Sequence, residues 1–208
     1  MSDIFASENG NPVKSKFIEL LQSVKREGIP DLLNWLTNNT DFFTAPASTK
    51  HHGAHDGGLC EHSLTVYENL QKLLTAFGAP IGQSCTVDGM IITALLHDIC
   101  KVNFYQKVIK SKKDGFHPNG KIKWVDAVGY DIDDQFPAGH GEKSVIILQK
   151  FIELTDEEIM AINWHMGFSD DRCKGYGGMQ AISNAFGKYP LAVALHMADL
   201  ASNYFDGV

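Results

Sequence analysis

Apolar residues recur every three or four positions along most of the chain, which is the spacing of amphipathic helices. Glycine, proline or runs of asparagine interrupt this spacing and predict where the helices end. The sequence therefore predicts a mainly helical protein, with helices near residues 13–27, 30–36, 59–77, 90–99, 141–154, 155–165, 179–186 and 190–204.

One of these helices is apolar on nearly every face. A helix without a polar face is typical of a buried position, so we expect residues 90–99 to form the central helix. The segment 103–139 differs from the rest, because turn signals surround a run at 121–132 with partial alternation of apolar and polar residues. We therefore predict an all-α fold, a helical bundle with a small β-hairpin insertion around 121–132.

The length and composition are typical of one globular domain. The chain has 208 residues, of which 44% are hydrophobic and 21% are charged. Domains commonly contain about 100–200 residues. We expect residues 1–208 to form a single domain, with a core at about 45–205 and the N-terminal helices, 13–38, packed on it.

The net charge and the cysteine spacing bear on the partners of the protein and on the redox state of its thiols. A net charge of −7 disfavours a nucleic-acid coat or a binder of anionic membranes, since both are normally basic. The four cysteines form no CxxC pair, which indicates reduced thiols. The sequence contains no secretory signal and no apolar run of the about 18 residues that cross a bilayer. We therefore expect a cytoplasmic protein without membrane or long nucleic acid as a partner.

Histidine and aspartate supply the candidate chemistry. His97-Asp98 ends the apolar helix, where burial of either side chain requires a strong partner. Metal centres of helical proteins are built from side chains on facing helices. For this pair alone, the alternative is a core histidine bonded to a carbonyl beside a capping aspartate. Further candidates lie on or at the ends of other predicted helices: Glu61-His62, Gly139-His140-Gly141-Glu142, Trp164-His165 and His196-Met197-Ala198-Asp199.

Four of these five histidines, together with the two aspartates, would give mixed nitrogen and oxygen ligation, which suits a transition metal. Six ligands exceed the need of one tetrahedral zinc ion, so two ions with a bridging aspartate are one arrangement. The other is a single ion, with two histidines hydrogen-bonded to a substrate phosphate. Two cations suit phosphate ester hydrolysis, because they activate water and stabilise the attacking and leaving oxygens. The metal stays open among Mn²⁺, Fe²⁺, Zn²⁺, Co²⁺ and Ni²⁺.

The order of His62, then His97-Asp98, then Asp199 resembles the H…HD…D signature of HD-domain metal-dependent phosphohydrolases. The similarity covers about residues 45–205 and implies an HD-domain-like helical bundle. It also implies that these four residues bind a metal ion.

Two further histidines extend the resemblance. His140 and His165 match, in order, the additional histidines of family members with a two-metal centre. The stretch 52–62 is similar to a subgroup that includes a bacterial 3′–5′ exoribonuclease. No nucleic-acid-binding domain precedes the core here, and the glycine-tyrosine-proline signature of the cyclic-dinucleotide branch is missing from the sequence.

The remaining candidates concern catalysis and substrate binding. We expect Asp98 to bridge two ions and Lys101, in a segment similar to the family's HDxxK, to contact phosphate. Lys101 alternatively pairs with a carboxylate. His52, Arg172 and Lys174 are candidates for binding an anionic substrate, and a solvated loop is the alternative for His52.

These features predict a metal-dependent phosphohydrolase that cleaves a phosphate ester of a nucleotide or related small molecule by metal-activated water. Its partner would be that small phosphorylated substrate. One alternative is a catalytically silent sensor that binds a nucleotide or a metal in the same cleft. Another is a 3′–5′ nuclease or phosphodiesterase acting on short oligonucleotides.

Overall fold

A computed structural model describes residues 11–50, 53–78 and 85–206 of the chain. Eight α-helices and one pair of antiparallel strands lie within these ranges. In chain order they are α1 (Pro12–Ser23), α2 (Ile29–Asn38), α3 (Gly58–Phe77), α4 (Val87–Leu96), β1 (Tyr105–Phe116), β2 (Ile122–Ile132), α5 (His140–Leu148), α6 (Asp156–Asn163), α7 (Tyr176–Lys188) and α8 (Pro190–Ala201).

The helix starts follow local chemistry. The side chain of Thr86 accepts a hydrogen bond from the Gly89 amide and caps α4. At the start of α6, Thr155 and Glu158 form a reciprocal capping box, at the residue where the sequence predicts this helix to begin. Both caps satisfy amide groups that have no partner within the helix.

The core is centred on α4, and the prediction that this helix is buried is confirmed. Every residue of α4 from Gly89 to Leu96 is buried. Helix α3 packs against both α4 and α8, and α6 packs against α8. Helix α1 joins this core through α3 and α4 and inserts the fully buried Phe17.

The predicted all-α class is wrong, because β1 and β2 form a real two-stranded antiparallel sheet. The hairpin was expected around 121–132, but its first strand already begins at Tyr105. The reason is compositional: β1 is rich in lysine and places Val108 beside Ile109, so its apolar and polar residues do not alternate cleanly. Because both strands are largely exposed, β1 has no buried face that would require its apolar and polar residues to alternate.

The base of the hairpin is anchored to the helical body. Asp56, in the loop before α3, accepts a hydrogen bond from the Tyr130 hydroxyl at 2.6 Å and pairs with Lys107 at 2.8 Å. On the other side, Lys143 of α5 pairs with Asp134 at 2.6 Å. The base of the hairpin therefore lies between the start of α3, which carries His62, and α5, which carries His140.

The helices differ from the prediction mainly at their ends. Helix α4 stops at Leu96, and the segment Ile99–Lys101 forms a short 3₁₀ turn after it. After α8, the segment Ser202–Asp206 continues as a π-helix. In the part of the chain that the structure describes, no helix has the length and apolar character needed to cross a membrane.

Candidate metal centre

Six predicted ligands meet in one place, and they come from five separate segments. The helical bundle brings together the ends of α3, α4, α5 and α6 and the middle of α8. The six are His62 on α3, His97 and Asp98 at the end of α4, His140 at the start of α5, His165 after α6, and Asp199 on α8.

His62 lies at one side of this cluster. Its Nε2 is 3.2 Å from Asp199 Oδ1 and 3.5 Å from Asp98 Oδ2. The same atom is 3.3 Å from His97 Nε2. Two imidazoles and two carboxylates therefore direct potential ligand atoms into one small volume.

Asp98 stands between two groups of imidazoles. Its Oδ2 faces His62 and His97, each with an Nε2 at 3.5 Å. Its Oδ1 faces His140 Nε2 at 2.7 Å and His165 Nε2 at 3.5 Å. A carboxylate whose two oxygens face different nitrogen sets has the arrangement of a bridging ligand.

The side chains form three overlapping sets of three residues. Within each set, the potential ligand atoms all lie within 4.8 Å of one another. The structure thus shows a buried cluster that could hold a metal ion, while its donor types leave the identity of the metal open. The three sets are His62–His97–Asp98, His97–His165–Asp199 and Asp98–His140–His165.

Backbone carbonyls fix the tautomer of two of the imidazoles. His97 Nδ1 lies 2.9 Å from Ala94 O, and His165 Nδ1 lies 2.6 Å from Ile162 O. A carbonyl oxygen can only accept, so each Nδ1 must donate, and in the neutral ring Nε2 then holds a lone pair. Outer carbonyls orient metal-binding histidines in the same way.

His165 gives a second reason to expect a cation. Its Nε2 is buried and has no hydrogen-bond partner among the described residues. An orphaned buried nitrogen is unfavourable unless an ion or a water satisfies it. Because this atom also faces Asp98, the donor set fits a metal ion.

Burial and charge set the protonation of the cluster. Burial lowers the pKa of His97 to about 3, so the ring is neutral and available as a ligand. Burial also lowers the pKa of His140. For His165 burial acts in the same direction, but the Asp98 carboxylate outweighs it and raises the pKa. A bound cation would displace that proton, because metal ligation requires the neutral ring.

The two carboxylates are ionised. Burial alone would raise the pKa of Asp98, but the Lys101 ammonium and the neighbouring imidazoles hold it well below its usual range. The imidazole of His62 has the same effect on the pKa of Asp199. The centre therefore holds two negative charges in a volume from which water is largely excluded.

Several supporting residues were not predicted from the sequence. Ser202 Oγ lies 3.0 Å from His62 Nδ1, and the Asn203 amide donates to Asp199 Oδ1 at 3.2 Å. Cys100 Sγ lies 3.4 Å from His140 Nδ1. The sequence could have indicated Ser202 and Asn203. They follow Asp199 by three and four positions, and this spacing places them on the same side of a helix.

The structure places His196 against the backbone of His165. Its Nδ1 lies 2.8 Å from the carbonyl oxygen of His165, and it belongs to none of the three ligand sets. It therefore contacts the backbone of a candidate ligand.

Lys101 is close to the centre. Its Nζ lies 2.6 Å from Asp98 Oδ2, and its side chain is 16% exposed. The Asp98 carboxylate raises the pKa of Lys101 in spite of burial, so the ammonium keeps its charge. The structure shows the carboxylate pairing, and contact with phosphate stays a prediction.

Arg172 and Lys174, two of the other predicted substrate-binding residues, are not brought into the cluster. Arg172 stacks on Trp164 and bonds to Asp170, Asn163 and Glu142, so its guanidinium braces α5 against the end of α6. The Lys174 ammonium is exposed and pairs with Asp171 at 2.7 Å. Their roles in substrate binding stay predictions, and His52 lies outside the described residues.

Gly141 permits the close approach of α5 to α6 that places His140. A Cβ atom at Gly141 would lie 2.2 Å from the backbone oxygen of Asn163. We expect Gly141→Ala to separate the two helices, lower the free energy of unfolding by about 1–3 kcal/mol and weaken metal binding through His140. Urea unfolding and metal content measure the two effects.

Gly187→Ala is the matched control for this substitution. A Cβ atom there meets nothing within 4 Å, so alanine in α7 should be neutral or stabilise by up to about 1 kcal/mol. Equal stability and equal metal content in the two variants would contradict the role assigned to Gly141.

We compared the chain with known proteins. No family model, no curated protein and no solved structure matches it. The chemistry of this protein must therefore be inferred from the side chains that the fold brings together.

Proposed function

We propose that the protein is a metal-dependent phosphohydrolase of the HD-domain type, acting on a phosphate ester of a nucleotide or related small molecule. The observation that supports this most is Asp98, whose two oxygens face two different pairs of imidazoles. The order of the ligands along the chain, which resembles the HD signature, supports the same proposal.

The six candidate ligands would form two binding sites for divalent ions, which share Asp98. His62, His97 and Asp98 would hold one ion, and Asp98, His140 and His165 would hold the other, with Asp199 beside the first. When bound, two such ions neutralise phosphate oxygens and lower the pKa of a water from 15.7 towards about 7.

The chain itself contributes positioning and charge. The outer hydrogen bonds of His97 and His165 hold both rings so that no reorientation is needed when ligands bind. The Lys101 ammonium, on the Oδ2 side of Asp98, offers a positive charge to a phosphate oxygen at the edge of the centre. Burial of Asp98 and the imidazoles limits access of bulk water, which strengthens these interactions.

Metal content and hydrolysis test the proposal together. Protein purified without chelator or affinity tag should contain close to two transition-metal ions per chain. It should hydrolyse p-nitrophenyl phosphate, bis-p-nitrophenyl phosphate or a member of a nucleotide panel. Removal of the metal with a chelator should reduce the rate at least about a hundredfold, and added Mn²⁺ should restore it.

The outcomes separate the competing functions. One ion per chain would demote His140 and His165 to substrate contacts. A protein that binds metal and nucleotide without turnover would contradict the enzyme and favour the sensor. Absence of metal, with no uptake of Mn²⁺, would overturn the proposed function.

A further inference from the structure

The hairpin carries an apolar surface that the described residues leave in solvent. A two-stranded hairpin is marginally stable at best in water, so apolar side chains on it normally pack against something. Contiguous exposed apolar patches of this kind mark interaction sites. Six large side chains of the two strands are between 42% and 69% exposed: Ile109, Phe116, Ile122, Trp124, Val128 and Ile132.

These six side chains share one face of the hairpin. Ile109 is paired with Val128, and Phe116 with Ile122. Residues that are directly opposite in an antiparallel pair point to the same side, and so do alternate residues along one strand. Trp124 therefore lies in the same row as Val128. We call this side, which carries all six residues, the apolar face.

The opposite side of the hairpin is cationic. Lys110, Lys112 and Lys123 occupy the alternate positions and so point away from the apolar face. The hairpin is therefore partly amphipathic: the large apolar side chains lie on one side, where Lys113, opposite Trp124, places its ammonium 4.4 Å from the centre of the Phe116 ring. The cationic side also carries smaller apolar residues, namely Val108, Val125 and Ala127.

Within the described residues, the polar contacts of the hairpin with the helical body lie at its base. Lys107 and Tyr130 contact Asp56, and the Tyr105 hydroxyl donates to the Ala47 carbonyl oxygen. Asp134, just after β2, pairs with Lys143.

Charge distinguishes the hairpin from the rest of the chain. Residues 105–132 contain six lysines and three aspartates, a formal charge of +3. Since the whole chain carries −7, the remainder carries −10. The positive charge is concentrated towards the tip, at Lys112, Lys113, Lys121 and Lys123, with Asp114 paired to Lys123.

We propose that the apolar face is the interface with a second copy of this chain. Two hairpins would pack face to face about a two-fold axis, with their tips in opposite directions. Such an interface is self-complementary, because each copy offers the same apolar surface. The rows of lysines that include Lys112 and Lys123 would stay on the outside, in solvent.

Electrostatics selects the opposed orientation. Tips in the same direction would place two clusters of lysines side by side. In opposite directions, each cationic tip would lie beside the acidic body of the partner. Phosphate is a poorer occupant for the middle of the face, because Lys107 is paired with Asp56 and Asp126 is acidic.

Sedimentation and light scattering over a range of protein concentrations test this interface. We expect the wild-type chain to dimerise and the variant Ile109→Thr/Val128→Thr to be monomeric. Its dimer dissociation constant should rise by at least about a hundredfold, since each substitution occurs twice in a dimer. Threonine keeps the β-propensity of the strands.

Lys112→Thr is the matched control, because it introduces the same residue on the opposite face of β1. It should remain dimeric, with a much smaller loss of affinity than the double variant, because it removes one of the tip lysines but no side chain of the apolar face. Unchanged far-UV circular dichroism and metal content in the double variant would show that the helical body is intact. Higher salt should weaken the wild-type dimer, because the tip and the body carry opposite charges.

Three results would overturn the proposal. The first is a wild-type chain that remains monomeric up to about 100 µM, a concentration at which an interface of this kind should be populated. The second is a double variant that dimerises as strongly as the wild type. The third is a monomer that binds anionic vesicles or a single-stranded oligonucleotide through this face. All of these readouts are independent of hydrolysis.

Discussion

Asp98→Asn is expected to abolish the two-ion centre and to reduce hydrolysis by at least about a thousandfold, equivalent to about 4 kcal/mol of transition-state stabilisation. Asparagine keeps the shape of the side chain but removes its charge and offers one acceptor oxygen instead of two. In the structure, one oxygen of Asp98 faces His62 and His97, and the other faces His140 and His165. The asparagine variant should therefore contain fewer than one metal ion per chain, measured by elemental analysis.

Asp171→Asn provides the control for this substitution. The Asp171 side chain is 86% exposed, and its ion pair with Lys174 lies at the protein surface. Metal content and turnover of this variant should therefore match those of the wild type. If Asp98→Asn kept both its metal and its activity, the assignment of Asp98 as the bridging ligand would be wrong.

Arg26→Met, which lies outside the centre, is expected to cause a large loss of stability. Arg26 donates to both carboxylate oxygens of Glu158, at 2.6 and 2.9 Å. The Glu158 side chain is only 3% exposed, so removal of its partner leaves a buried negative charge. We expect the free energy of unfolding to fall by about 3 kcal/mol and Tm to fall by about 6–12 °C, measured by urea titration and calorimetry.

Replacing the cation of an exposed ion pair with methionine distinguishes the effect of burial from the effect of losing a positive charge. Lys16 pairs with Glu68, but both side chains are about half exposed. Exposed pairs contribute about 0–1 kcal/mol, so Lys16→Met should change stability by less than about 1 kcal/mol. Similar losses in both variants would show that the pairing of Arg26 and Glu158 is not the source of the effect.

The resemblance to HD-domain enzymes and the geometry of the centre support one proposal by separate routes. The resemblance depends on the order of residues such as His62 and Asp199 along the chain, whereas the geometry depends on atoms that the fold brings within 3.2 Å of one another. Metal analysis of Asp98→Asn tests the geometry without assuming a substrate.

Sequence alone was sufficient where structure depends on local interactions. Helix periodicity reflects hydrogen bonds four residues apart, so the buried helix α4 and the capping box at Thr155 could be predicted. The candidate ligands could be chosen because histidine and aspartate are unusual at the ends of apolar helices, as at His97-Asp98.

Other features needed the tertiary structure, because they depend on contacts between distant segments. Strand pairing joins residues such as Ile109 and Val128, and the lysine-rich β1 shows little pattern by itself, so the extent of the hairpin was missed. Whether Arg172 would face the centre or brace two helices depended on which acceptors surround it in the fold.

By itself, then, the sequence determined the helices, the types of ligand and the order of the ligands along the chain. The tertiary structure decided that six side chains share one buried volume, that Asp98 lies between two imidazole pairs, and that one face of the hairpin is exposed. The physical reason is that helix formation is local, whereas packing fixes which distant atoms meet and which apolar surface stays in solvent.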